Sequence, residues 1–298
     1  MKLLIVTQVV DDRDSDLGFF VRWIEEFAKH AEQVEIICLK EGQHILPKNV
    51  HVHSLGKEKG ISRVKYIFNF YRYIWNLRHE YDAVFVHMNP EYVILGGPLW
   101  RLWGKRIAFW YTHKSVNLKL RIATFFAHVI LTASKESFRL PNKKVHVMGH
   151  GIDTFFFSPD ASVKRGDWLL SVGRLMKSKR HDLAIRQAAL ENKELRIIGE
   201  GRERANLEAL ARELNANVHF LGGMTQAALR DEYLTAGLFL HMSETGSLDK
   251  VILEALACGL PIRTNDPALS FLQNASPAFV REHHSLQKLV RAIMGELT

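Results

Sequence analysis

Short, continuously apolar runs alternate with longer stretches of helical period from "KLLIVTQVV" (2–10) to "GLFLHMS" (237–243). A strand buried on both faces reads as an unbroken apolar run, and parallel neighbours need a crossover between them. The alternation predicts an α/β chain with parallel sheets covered by helices on both sides. Strands are expected at 2–10, 33–39, 83–87, 106–111, 128–134 and 144–150. Helices are expected from Gly18, with Phe19, Trp23 and Phe27 on one face, and over 61–79, 91–103 and 116–127. "GIDTFFFSPDASVKRGD" (151–167) interrupts the pattern with Gly, Pro, Ser and mixed charge and reads as a linker. After it, strands are expected in 168–173, 195–199, 218–222 and 237–243, with helices over 181–190, 202–214, 225–235 and 247–258. A chain of 298 residues suffices for two such domains, 1–155 and 156–298. Two doubly wound units would leave a cleft lined by the loops that follow the strands.

Composition narrows the class. The chain is 47% hydrophobic and 24% charged, as soluble globular proteins are. Cys38 and Cys258 lie in apolar runs without metal-ligand spacing and read as buried free thiols. No apolar stretch is long enough for a spanning helix, and "LLIVTQVV" runs straight into "DDRDSD", so a cytoplasmic protein is expected. Residues 1–155 carry 22 Lys and Arg against 15 Asp and Glu, whereas 156–298 carry 18 against 17. The basic surplus of the first half calls for an anionic partner there.

Three loops in the second half carry chemistry. In "LLSVGRLMKSKRHDLAI" (169–185) a strand ends at Gly173, and Arg174 and Lys179 follow before a helix. A guanidinium fork and a compact ammonium suit a diphosphate, although the spacing alone also fits a solvated basic loop. "LRIIGEGRER" (195–204) places Gly199, Glu200 and Gly201 between strand and helix. The glycines permit close backbone approach to a ligand, or serve a plain turn. "SETGSLDKVILEALACGLP" (243–261) leads into a helix in which Glu254 sits among apolar residues. Vicinal hydroxyls of a ligand could donate to that carboxylate and offset its burial, as could a salt bridge.

Together and in this order, "SVGRL…K", "IIGEGRER" followed by "VHFLGGM", and "EALACGLPI" resemble the donor-binding half of the GT-B retaining glycosyltransferases of the glycogen-synthase-like/sucrose-synthase-like group, the glycosyltransferase family 4-like "glycosyl transferases group 1". "VMGHGIDTFFFSP" resembles the family's interdomain segment, and the likeness is strongest over 145–262. The resemblance implies two Rossmann-like domains, a nucleoside-diphosphate sugar as donor, retention of anomeric configuration, and no cofactor or catalytic metal. Carried over by residue, Arg174 and Lys179 would bind the diphosphate and Glu254 the ribose hydroxyls. Gly173, Gly199, Glu200 and Gly201 would lie along the donor. Gly246, Ser247 and Leu248 would present amides to phosphate and sugar. Gly18 matches a glycine turn beneath the diphosphate, and His113 in "FWYTHKS" a histidine aimed at the transferred sugar. His113, like His87 and His150, also reads as an ordinary core or surface histidine.

The chain departs from the pattern in places. Gly246 stands where the family has a first Glu that contacts the sugar, and Asp249 or Lys250 could assume part of its role. Arg180 replaces a usual glycine. The chain also stops soon after "GLPI", where the family commonly adds strands and a helix returning to the first domain, so a compact or shortened member is expected. These departures leave an alternative: a non-catalytic nucleotide-sugar-binding protein or partner subunit.

Residues 57–82 and 98–111 mix basic and aromatic side chains, as an interfacial helix does, and as an amphipathic helix packed on a core also does. A lipid-linked or glycan acceptor in cell-envelope glycan assembly, met at an anionic inner membrane surface, fits both charge and apolarity. No nucleic-acid motif is found.

Overall fold

The computed structural model describes residues 1–243 and 248–298. In its first half β1 (Lys2–Val10), β2 (Gln33–Glu41), β3 (Val50–Ser54), β4 (Ala83–His87), β5 (Arg106–Trp110), β6 (Val129–Thr132) and β7 (Val145–Val147) form a seven-stranded sheet. The order is β3-β2-β1-β4-β5-β6-β7, and all neighbours are parallel. Side chains of β1 alternate between two cores: Leu3 and Ile5 enter one, Leu4 and Val6 the other. That two-sided burial is why the strand reads as a continuous apolar run.

Helices α1 (Phe19–Ala28), α2 (Arg63–Asn76), α3 (Pro90–Leu102) and α4 (Leu118–Phe126) supply the crossovers in this half. Ser62 and Asn117 begin α2 and α4 by accepting from the amides of Lys65 and Leu120, at 3.4 and 2.9 Å.

After Gly151 a five-stranded parallel sheet follows: β8 (Leu169–Val172), β9 (Leu195–Ile198), β10 (Val218–Gly222), β11 (Leu238–His241) and β12 (Ile262–Thr264), in the order β10-β9-β8-β11-β12. Helices α5 (His181–Glu191), α6 (Arg204–Glu213), α7 (Gln226–Thr235), α8 (Lys250–Ala257) and α9 (Pro277–His283) cover it.

The final helix, α10 (Leu286–Leu297), departs from the expected division at residue 155. The chain separates into Met1–Gly151 with Leu286–Thr298, and Ile152–Ser285. Leu286, Leu289, Val290, Ile293, Met294 and Leu297 recur at helical spacing and are buried in the first unit's core with Trp23 and Phe27 of α1. That apolar stripe has to be covered, and the first unit covers it. The expectation that 286–298 belongs to the second domain is therefore corrected, and a helix returning to the first unit is present. Trp23 Nε1 donates to the Gly151 carbonyl at 3.1 Å, fixing the last residue before the second unit.

β3 was not expected. It is an edge strand whose "VHVHS" is only partly buried. Its His51 and His53 contact Glu35 of β2 at 3.1 and 2.6 Å. Both thiols are buried and free.

Candidate active site

In the second sheet the winding direction reverses between β8 and β11. Loops leaving the carboxyl ends of two such strands diverge and leave a crevice for ligands. The loop after β8 carries Gly173, Arg174 and Lys179; after β11 the described residues are Met242, Ser243, Leu248 and Asp249.

The two loops meet through a half-buried ionic network. Lys179 Nζ donates to Asp249 Oδ2 at 2.6 Å, and His241 Nε2, at the end of β11, lies 2.9 Å from the same oxygen. An ionised carboxylate only accepts, so His241 carries its proton on Nε2; its Nδ1 is buried and has no partner among the described residues. Burial would raise the Asp249 pKa, but the His241 hydrogen bond and the Lys179 charge outweigh it and hold the carboxyl at about 2. Asp249 begins α8 without capping it, because its carboxylate is engaged by Lys179 and His241.

The loop after β8 is pinned by a second histidine. His181 opens α5; its Nδ1 accepts from Ser171 Oγ at 3.0 Å and its Nε2 donates to the Gly173 carbonyl at 3.2 Å. Burial pushes its pKa down to about 4, so it is a neutral brace. Arg180 adopts a left-handed conformation (φ 50°, ψ 40°), which explains the glycine usual at that place, and its guanidinium grips Asp182. Arg174 is exposed and makes no ion pair among the described residues.

Gly199 and Gly201 are required by the packing of two loops. A Cβ on Gly199 would lie 2.1 Å from the Gly173 carbonyl oxygen, and one on Gly201 2.2 Å from that of Leu175. The loop after β9 thus rests directly on the backbone of the loop after β8, and the Leu175 amide donates to the Glu200 carbonyl at 2.8 Å. Glu200 is exposed, with Oε1 accepting from the Gly223 amide at 3.3 Å.

Glu254 is 2% exposed. Tyr233 donates to its Oε2 at 3.4 Å, and Lys250, one turn earlier on α8, lies 3.6 Å from Oε1. Burial raises its pKa, and the Lys250 charge and the Tyr233 bond only partly oppose that. Lys250, expected at the donor, thus lies beside Glu254. Leu248 packs against the second unit's core. Gly246 and Ser247 lie outside the described residues.

Gly18 and His113 belong to the first unit. Gly18 begins α1, and a Cβ there would lie 2.5 Å from the Asp14 carbonyl oxygen, so the turn itself demands glycine. His113 is exposed in the loop after β5, its Nδ1 3.3 Å from Ser115 Oγ. His87 is a core residue, stacked on Phe20 at 4.0 Å, with Nδ1 3.3 Å from Thr7 Oγ1. No cluster of His, Cys, Asp and Glu suited to a metal ion occurs among the described residues.

His181, His241 and Tyr233 carry no local signal as site residues. Ser171 and Asp249 partner His181 and His241 across one strand-to-helix connection, and Glu254 meets Tyr233 only where α7 packs beside α8.

Comparison with known proteins agrees with this architecture. Residues 154–294 match the family model "Glycosyl transferases group 1". A GDP-mannose-dependent alpha-mannosyltransferase of Mycobacterium tuberculosis is 31% identical over 132 residues, 41% of this chain and 34% of the relative. The match thus spans about a third of the relative's length. Among solved structures, Anabaena Alr3699/HepE in complex with UDP aligns over 100% of this chain and 99% of its own, with TM-score 0.74 and 15% identity. The same Anabaena protein is also known with UDP-glucose. AviGT4, a glycosyltransferase of Avilamycin A biosynthesis, covers 99% of this chain and 97% of its own, with TM-score 0.70 and 13% identity. At these identities the structures establish the shared GT-B fold. Residues 154–294 thus match the family model of glycosyl transferases group 1, and the two parallel-sheet units carry the GT-B fold of the solved structures.

Proposed function

We propose that the chain transfers a sugar from a nucleoside-diphosphate sugar to a hydroxyl acceptor, with retention of configuration and without a catalytic metal. The observation that carries this reading is the Lys179–Asp249–His241 network at the point where the second sheet reverses. It fixes the Lys179 ammonium on the same loop that carries the exposed Arg174, and two such cations suit a diphosphate. The relatives' names point the same way, to GDP-mannose in one case and to UDP and UDP-glucose in another.

In this mechanism the bond from the anomeric carbon to the donor phosphate breaks, and Arg174 and Lys179 stabilise the charge gathering on the departing nucleoside diphosphate. The acceptor hydroxyl bonds to the same carbon on the same face, and its proton goes to the leaving phosphate. Glu254 receives the ribose hydroxyls, and Gly173, Gly199, Glu200 and Gly201 line the donor. Gly246, Ser247 and Leu248 supply amides, Lys250 adds charge, Gly18 makes room and His113 faces the sugar.

The acceptor, lipid-linked or a glycan, is met by the first unit. On α2 the side chains of Val64, Ile67, Phe68, Tyr71 and Trp75 are exposed among basic residues, which supports contact with an anionic membrane surface. Among the described residues no helix is long and apolar enough to cross a membrane.

The purified protein, Arg174→Ala and Lys179→Ala are compared with a panel of UDP-, GDP- and ADP-sugars. Release of nucleoside diphosphate by wild type, reduced at least a hundredfold in each variant, is the expected result; undiminished turnover in both overturns it. A second reading has its own support, because Gly246 replaces the first Glu and Asp249 occupies Lys179. A non-catalytic nucleotide-sugar-binding subunit would bind the panel and release nothing.

A further inference from the structure

The first sheet reverses its winding between β1 and β4. A cavity of about 570 Å³ lies there, wholly within the first unit, bounded by Gln8 of β1, Leu39 of β2 and Asn89 after β4. Small-molecule sites of parallel sheets occupy such reversal points and measure about 300–1,000 Å³.

Three features indicate what it takes. The first is an unused donor. Gln8 Nε2 donates to Asn89 Oδ1 at 2.8 Å, orienting the amide, while Asn89 Nδ2 is buried and has no partner among the described residues. Asn89 begins α3 without capping it, and Met88 before it is held at φ 66°. A buried donor with nothing to bond and a strained residue beside it are both costs that a ligand would offset. The second is an apolar wall made by Leu39, Leu55, Phe70, Tyr92 and Leu95. The third is net positive charge. Lys57 and Arg63 line the cavity, are exposed and make no ion pair among the described residues. Its acid, Glu91, is neutralised by Lys119 at 2.8 Å.

An apolar wall, a neutral donor and two unpaired cations fit an anionic amphiphile better than a free sugar. We infer that this cavity binds a single apolar chain ending in a diphosphate, the carrier part of a lipid-linked acceptor. The chain lies against Phe70, Leu55 and Leu95. The phosphate oxygens accept from Asn89 Nδ2 in the field of Lys57 and Arg63. This inference rests on the acceptor reading above and gives that acceptor its chemistry.

Binding to the full chain is measured by titration calorimetry with farnesyl diphosphate, farnesol and inorganic diphosphate, and separately with UDP and GDP. Farnesyl diphosphate is expected to bind at least tenfold more tightly than either fragment. Arg63→Glu with Lys57→Glu, both at exposed positions, should weaken it at least tenfold. Leu95→Trp, which fills the cavity, should abolish it. Nucleotide binding should be unchanged in every variant. Inorganic diphosphate binding as well as farnesyl diphosphate, or full binding in the charge-reversed variant, overturns the inference. So does competition by UDP, which would place the ligand in the second unit. If Leu95→Trp does not fold, the charge-reversed variant and Asn89→Ala decide. If no nucleotide binds wild type, the donor reading fails while the cavity is still judged by its own titration.

Discussion

Lys179 and Asp249 stand 2.6 Å apart although 70 residues separate them in sequence, and His241 shares the same carboxylate oxygen. The contact joins the loops after β8 and β11, which are neighbours only because the sheet places those strands side by side. A charged pair that bridges two loops organises both.

Asp249→Asn should release Lys179, raise the KM for donor at least tenfold and destabilise the protein by roughly 1–3 kcal/mol. The pH dependence follows from the depressed pKa. The unfolded chain takes up a proton near 3.8 and the folded one only at about 2. The carboxylate's contribution is therefore complete above the unfolded value and is lost as pH falls through the folded one, about 2 kcal/mol in all. Urea melts of wild type and variant between pH 6 and pH 2.5 check this. Parallel curves would show that the pair contributes nothing.

Glu254→Gln tests the opposite case. Burial raises this carboxyl's pKa, so the folded state holds its proton more tightly than the unfolded chain, and stability declines as pH rises from 4.5 toward the folded value. Removing the charge should leave the melting temperature at pH 7 unchanged or higher. Nucleotide affinity, read by calorimetry with UDP and GDP, should drop at least tenfold as the ribose contact is lost.

Gly199→Ala would set a methyl group against the Gly173 carbonyl, at a backbone φ of 137°. The expected cost is roughly 1–3 kcal/mol in the urea midpoint, with donor turnover lost as the loop after β8 is pushed aside.

Ile293→Ala removes a fully buried side chain from α10. A cavity in that core should cost about 2–5 kcal/mol. Hydrogen exchange should show the loss in β1, β5 and α1, with α6 and α7 of the second unit protected as before.

Central strands and crossover helices were legible because parallel strands buried on both faces leave continuous apolar runs. β3 was not, since "VHVHS" alternates valine with histidine at a half-covered edge, and its histidines matter only through Glu35 on the neighbouring strand. That Gly173, Arg174 and Lys179 share one loop after a strand could be read from the order of strand end, glycine and cations. Asp249 was noticed as a substitute acid, but its bond to Lys179 depends on sheet order, and no local pattern encodes that. The glycines after β9 were read as room for a ligand or a plain turn; that a Cβ on either would also meet the adjoining loop's backbone is something only the fold shows.

α10 gives the chain an inserted topology. Ile152–Ser285 is a segment spliced into the first unit, and its two ends meet: the Ile152 amide donates to the His284 carbonyl at 2.7 Å, and Ile152 bridges Ser285. A single cut near residue 155 would strip the first unit of a helix that seals its core. Excision at 151/152 and 285/286, with Gly151 rejoined to Leu286, is the division that leaves each piece its own complete interior.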